Sequence, residues 1–285
     1  VATLRDIRRR IRSVESTQKI TRAMQMVAAA KFNRAQADVQ TLRPFAEGME
    51  GLLAHFLSSG QLAGHPLLAR EEVRRRAYVV VASDRGLCGA YNSNILRAAE
   101  HELRKADDPE GVAVIPVGRR ASDFFGKRSY RVLFSFRELG DRLSAPRARE
   151  IAWHIQQLYI KEEVDQIDVL YTRFINTMNR EVIVRPMLGI QLDADEEETG
   201  VPYLLEPSVG ELLDDLLPRV LFTRVTAMLG EVFASEHSAR MTAMQLATDN
   251  ATELIDQLTL IRNRMRQAAI TKELADIVGA AEAIS

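Results

Sequence analysis

The chain has 285 residues, with 38 Lys+Arg against 39 Asp+Glu, 46% hydrophobic and 27% charged residues, and one cysteine. The apolar fraction sustains a buried core and excludes disordered, collagen-like and low-complexity classes, leaving one large domain or two smaller ones. A single cysteine closes no internal disulfide and no Cys/His spacing matches a zinc site, so a reducing compartment and no structural metal are expected.

The chain opens with Arg5, Arg8, Arg9, Arg10 and Arg12 where a signal peptide would carry apolar residues. Leu4, Ile7, Ile11 and Val14 alternate at threes and fours, and the rhythm returns at Leu42, Phe45, Met49, Leu52 and Phe56. This predicts one amphipathic helix over 1–57 with a coiled-coil-like seam. Between the two stretches the pattern slips through Ile20, Met24, Val27 and Ala28 to Ala30, with polar Gln18 and Thr21 where the seam would continue. At a rise of ~1.5 Å per residue the helix is roughly 85 Å long, too long for an ordinary domain to bury, so it projects or pairs.

The middle, 75–207, switches period. Short apolar or β-branched runs at Ala77–Ala82, Val112–Val117, Arg131–Phe136, Ile167–Phe174 and Val182–Leu188 alternate with helical patterns at Asn94–Lys105, Arg119–Phe125 and Arg147–Glu162. The order predicts a Rossmann-like α/β domain with a mostly parallel sheet and a final antiparallel edge strand. The longest purely apolar stretches, such as Tyr78–Ala82, are far short of the ~20 residues of a membrane span. Gln191–Pro207, with its acidic run, reads as an exposed connection.

Over 208–285, Pro218 is placed as a first-turn or kink proline. Leu221, Val225, Met228 and Val232, then Ala251, Leu254, Leu258, Ile261, Met265 and Ala268, then Ile270, Leu274 and Ile277, repeat at helical spacing. The fold class expected is therefore α/β, in which a long antiparallel coiled coil of N- and C-terminal helices (1–57 and 208–285) carries a central globular foot (75–207).

Chemistry is sparse. The first strand is followed by Ser83-Asp84-Arg85-Gly86-Leu87-Cys88-Gly89 instead of GxGxxG, and Gly126-Lys127 lacks both the upstream glycine and the Ser/Thr of a Walker loop. Cys88 precedes a helix whose dipole would lower its pKa. Asn94, however, stands where a Cys-x5-Arg loop needs its arginine, and none of the five histidines pairs with the thiol in sequence. Residues 1–34 hold nine basic side chains against Asp6 and Glu15, and Arg262, Arg264 and Arg266 add a second cluster. With near-neutral overall charge and only Phe32 interleaved, an acidic protein partner fits this stripe better than nucleic acid.

Four stretches now carry a resemblance: Thr17–Lys31 (TQKITRAMQMVAAAK), Ser83–Gly89 (SDRGLCG), Phe174–Met178 (FINTM), and the run from Ala234 to Ala281 that begins ASEHSARMTAMQLATDNA. Over essentially its whole length the chain resembles the γ subunits of bacterial rotary F-type ATP synthases. One departure is Ile261-Arg262, where the family commonly has a small residue and a tyrosine. The resemblance implies a central-stalk rotor. In it the paired helices turn inside a ring of three α and three β subunits and the foot rests on the c ring and binds ε, with δ elsewhere in the complex. Rotation driven by a proton gradient is coupled to ATP synthesis or hydrolysis at the β subunits. It also implies no catalytic site, cofactor or metal in this chain, no nucleic acid, and peripheral attachment to the cytoplasmic side of the cell membrane through the complex alone. Carried over position by position, Met24, Arg240, Arg266, Gln267, Thr271 and Cys88 match contacts to the α/β ring, and Tyr203, Leu205 and Glu206 match contacts to the c ring or ε. A nucleotide-binding α/β enzyme and a coiled-coil nucleic-acid binder are the alternatives, and neither accounts for two matched terminal helices.

Overall fold

A computed structural model describes residues 3–58, 67, 72–105, 111–188 and 209–282. The elements in chain order are α1 (Leu4–Ser58), β1 (Arg76–Val81), α2 (Tyr91–Arg104), β2 (Val112–Val117), α3 (Arg119–Phe125), α4 (Ala145–Ile160), β3 (Gln166–Phe174), β4 (Arg180–Leu188) and α5 (Val209–Glu282). The expected connection Gln191–Pro207 lies outside the described residues. Contacts divide the chain into two compact units, one formed by 1–28 with 240–285 and the other by 29–239.

The larger unit is built on a four-stranded sheet of order β2-β1-β3-β4, with β1 parallel to β2 and β3, and β4 antiparallel to β3. Alternation along the strands sends side chains to opposite faces, and both faces are covered, as a mostly parallel sheet requires. Tyr78, Val80, Val114 and Leu170 pack under α2 and α3 through Ile95, Ala99 and Phe125. On the other face Val79, Val81, Ile115 and Val169 meet α4 through Ile151, Ile155 and Tyr159, and meet the α1 and α5 segments of this unit through Phe32, Val39, Val225 and Phe233.

The run Arg131–Phe136 is not the strand its composition predicts. It touches β2 at two isolated bridges, Val114 to Val132 and Val117 to Phe136. The Val114 amide donates to the Arg131 carbonyl and the Gly118 amide to that of Phe136, but between them stands Pro116, which has no N–H to give. The ladder therefore fails in its middle, and Phe134 stacks instead on His154 of α4 at 4.1 Å between ring centroids.

The terminal helices are also less matched than expected, 55 residues against 74, because α5 begins before Pro218 and carries that proline inside it. Thr3 and Asp6 cap α1 reciprocally: the Thr3 hydroxyl donates to the Asp6 carboxylate at 2.8 Å and accepts the Asp6 amide at 3.3 Å.

Candidate functional site

The smaller unit is a two-helix rod. Ile7, Ile11 and Leu258 are buried together, with Val14 and Met265 against them, so the helices run antiparallel. The seam continues through polar side chains. Gln18 donates to the Thr252 hydroxyl at 2.7 Å, and the Thr21 and Thr248 hydroxyls bond at 2.8 Å. Ile20 and Val27, through which the sequence pattern slips, are 57% and 55% exposed.

The seam read over Leu42, Phe45, Met49, Leu52 and Phe56 is corrected in the larger unit. There Val39, Leu42, Met49 and Leu53 turn inward, whereas Phe45 and Leu52 are exposed. An unbroken alternation of threes and fours from Ile7 passes through Gln18, Thr21, Ala28, Phe32, Ala35 and Val39, and it leaves the larger apolar residues one position off.

Much of the rod's remaining surface is apolar. Met26, Leu246, Leu254, Leu260, Ile261, Ile270, Leu274 and Ile277 are all exposed. A rod of two helices can bury one stripe of each against the other, so apolar residues outside those stripes stay in water unless a further partner covers them. At the level of the Ile7–Leu258 cluster sit the basic residues of both helices. Arg5, Arg8, Arg9, Arg10 and Arg12 on α1 and Arg264 and Arg266 on α5 are exposed, with Asp6 held by Thr3 and Arg9. This collar offers charge-assisted donors to acidic groups.

The predicted contact residues fall at separate places. Met24 is half-buried, and the register set by Gln18–Thr252 and Thr21–Thr248 puts it opposite the turn around Gln245, about one and a half turns from the level of half-buried Arg240. Arg266, Gln267 and Thr271 are exposed, and Arg266 lies about 39 Å along α5 from Arg240 at ~1.5 Å per residue. Cys88, in the larger unit, is 2% exposed and packs with Tyr91 and Ala239. Tyr203, Leu205 and Glu206 lie outside the described residues.

The loop holding Cys88 is a locked corner at the end of β1, where the strand order reverses between β1 and β3. Ser83 donates its amide and its hydroxyl to the Asn92 side-chain oxygen at 3.0 and 2.9 Å. Asn92 in turn donates to the Cys88 sulfur at 3.2 Å. Asp84 accepts the Arg119 amide at 2.9 Å and the Gly140 amide at 2.8 Å, capping α3 from outside because the residue before that helix is Gly118. Gly118 itself is irreplaceable: its φ is +89° and an added Cβ would lie 2.0 Å from the Ala82 carbonyl oxygen. At the outer tip, Leu87 holds φ 60° with its side chain 62% exposed.

Other motif residues brace rather than react. Ser235, Glu236, His237 and Ser238 are buried on α5. Ser235 donates to the Thr172 carbonyl at 3.0 Å, Ser238 to that of Thr177 at 3.3 Å, and His237 Nε2 meets the Asp141 carbonyl at 2.9 Å. Arg180 donates to Ser238 at 3.2 Å, while Asn176 receives the Met178 and Asn179 amides and tightens the β3–β4 turn. Sequence reasoning passed over Asp84 and this brace, although an Asp directly after a strand and polar residues at consecutive helix positions were the available signals. Among the described residues no group of three His, Cys, Asp or Glu is placed to hold a metal ion, and no helix is long and apolar enough to cross a membrane.

Comparison with known proteins agrees with this architecture. The family model described as ATP synthase matches residues 3–284. The ATP synthase gamma chain of Desulforamulus reducens is 43% identical with all of both chains covered, and that of Moorella thermoacetica is also 43% identical at full coverage. That of Symbiobacterium thermophilum is 44% identical over 98% of this chain and 97% of its own. Among solved structures, a chain of the Euglena gracilis mitochondrial ATP synthase, OSCP/F1/c-ring, superposes with a TM-score of 0.69 at 19% identity, covering 99% of this chain and 94% of its own. A chain of the Tetrahymena thermophila mitochondrial ATP synthase, central stalk/c-ring, gives 0.62 at 22% identity, covering 80% of this chain and 99% of its own. The paired helices with an α/β foot are thus the architecture of a rotary-synthase stalk. The chain belongs to the ATP synthase gamma chain family.

Proposed function

We propose that this chain is the central-stalk rotor subunit of a proton-translocating ATP synthase, mechanically coupling c-ring rotation to ATP synthesis or hydrolysis at the β subunits. The observation that carries this reading is the rod of 1–28 and 240–285. It buries its seam and leaves Ile20, Val27, Leu246, Ile270 and Ile277 at half exposure or more, as suits a shaft enclosed by a sleeve. In this reading the sleeve is a ring of three α and three β subunits. Met24 and Arg240 grip it at one level, Arg266, Gln267 and Thr271 at another, and Cys88 lies beneath the loop that approaches β. The larger unit is the foot, meeting the c ring and ε through Tyr203, Leu205 and Glu206, with δ held elsewhere in the complex. The chain itself contributes no catalytic residue and no cofactor, and it is held to the cytoplasmic side of the cell membrane through its partners.

Off-axis rotation of such a rod would present different side chains to each β subunit in turn, so torque becomes a difference in affinity for nucleotide between alternative conformations. The test is reconstitution with α and β subunits of a matching synthase and a probe fixed to the foot. ATP-driven turning in steps of about a third of a turn, the spacing of a threefold ring, supports the reading. A chain that fails to assemble with a competent ring refutes it.

A further inference from the structure

A cleft of about 610 Å³ opens in the larger unit between the β3–β4 pair and the neighbouring stretches of α1 and α5. Its lining is apolar at Val39, Val169 and Met228, but four arginines reach it from four elements: Arg43 of α1, Arg173 of β3, Arg185 of β4 and Arg224 of α5. Three are partly neutralised within the unit. Arg43 pairs with Glu231 at 3.2 Å, Arg173 with Glu181 at 2.7 Å, and Arg224 with Glu50 at 3.3 Å. Arg185 forms no ion pair among the described residues.

The hydrogen bonding inside the cleft is incomplete on both sides. The Nε atoms of Arg224 and Arg173 are buried and complete no hydrogen bond, although a Glu50 oxygen lies 3.3 Å from that of Arg224. One carboxylate oxygen of Glu231 is also buried without a donor. Arg224 has a side chain only 16% exposed, and desolvation lowers its pKa with Arg185 acting in the same direction. Buried donors and acceptors left open in a folded protein call for a ligand or solvent that completes them.

We propose that this cleft binds a protonated oxyanion, hydrogen phosphate, between Arg224 and Arg185. The pattern of open groups selects the chemistry. Guanidinium donors on two sides match the oxygens of a tetrahedral anion. The open Glu231 oxygen is an acceptor, which only an anion carrying its own proton can satisfy. Sulfate has no such proton at neutral pH. The Tyr171 hydroxyl beside Glu231 is held protonated chiefly by burial and by the charge of Glu231, so it adds no negative charge to the site. This inference stands apart from the rotor reading, because it concerns a cleft inside the foot and none of the residues assigned to the ring or to ε.

The test is isothermal titration calorimetry of the full chain with sodium phosphate and, in parallel, sodium sulfate. Saturable phosphate binding that weakens at least tenfold in Arg185→Gln, an exposed position whose change leaves the core intact, supports the site. So does native selectivity for phosphate over sulfate that shrinks in Glu231→Gln. Absence of saturable phosphate binding, equal affinity in the native chain and Arg185→Gln, or sulfate binding as tightly as phosphate each overturns the proposal.

Discussion

The same two helices behave differently in the two units. In the larger unit α5 is buried almost all round, with Val225, Leu229, Val232, Phe233 and Ala234 each at most 1% exposed beneath the sheet and α1. In the smaller unit the seam at Ile7, Ile11 and Leu258 is closed, yet Leu246, Leu254 and Ile261 stand in water. Helical periodicity is common to both; what differs is how many neighbours are supplied from within the chain. The foot completes its own core, whereas the rod is half of an interface.

This comparison is sharpened first by truncation in each unit. Phe233→Ala empties a buried site and is expected to cost about 3–5 kcal/mol. Ile261→Ala, 43% exposed, is expected to stay within about 0.5 kcal/mol in the isolated chain. Urea unfolding of both variants checks this, and equal losses would break the distinction. Next in size, Gly118→Ala forces a clash with Ala82 and a left-handed backbone, at a cost of ~1–3 kcal/mol or more, read as a lowered thermal midpoint. Asp84→Ala removes the acceptor for two amides and is expected to cost about 1–2 kcal/mol. The loss should appear as faster hydrogen exchange at Arg119 and Gly140, with the rod unchanged.

A pH test separates two neighbouring carboxylates of the foot. Burial opposes ionisation of Asp165, but hydrogen bonds from the Arg75 side chain and the Arg75 and Arg74 amides outweigh it and hold its pKa below the usual carboxylate value. Its contribution is therefore present above about pH 4 and is lost as pH falls through the depressed value. Asp168 is the reverse. Desolvation pushes its pKa up against the hydrogen bond from Gln166 and the charge of Arg76, so the stability it lends at low pH is lost as pH rises through the raised value. Asp165→Asn should flatten the acid limb of the stability profile, and Asp168→Asn should remove a decline on its neutral side. Carboxyl NMR titrations that place both pKa values on the same side of the usual value would contradict one of the two assignments and break the contrast. A small effect is also expected in the seam of the rod. Replacing Thr21 and Thr248 together by valine removes both partners of one hydrogen bond, and with no polar group stranded the change is expected to stay within about 1 kcal/mol, measured by thermal unfolding of the assembled complex.

The long helices, the alternation of strands and helices between them and the antiparallel edge were legible because periods of 3.6 and 2 are set by backbone geometry alone. The phase of the seam was legible only as far as Gln18 and Thr21. Gln18, Thr21, Ala28 and Ala35 hold it with polar or small side chains, while Phe45 and Ile20 advertise burial that does not occur. Arg131–Phe136 has strand composition, but the decisive residue is Pro116 on another segment. The arginine cleft was invisible for the same reason: Arg43, Arg173, Arg185 and Arg224 converge only after the sheet and both helices have formed. Resemblance, in contrast, was legible in motifs such as SDRGLCG, where Ser83 and Asp84 turn out to tie the foot together.

Pro116 has a wider consequence. An open sheet edge is a template on which a second chain can add a strand, and a protein waiting for partners with apolar helix surface uncovered is at special risk of aggregation. On the outer side of β2 the N–H that such a strand would need at Pro116 is missing, and the positions to either side are already taken by Arg131 and Phe136. The opposite edge strand, β4, also carries a proline, Pro186, flanked by Arg185. Polymerisation through the sheet is thus obstructed at both borders, while the apolar surface of the rod stays open for a proper partner to cover.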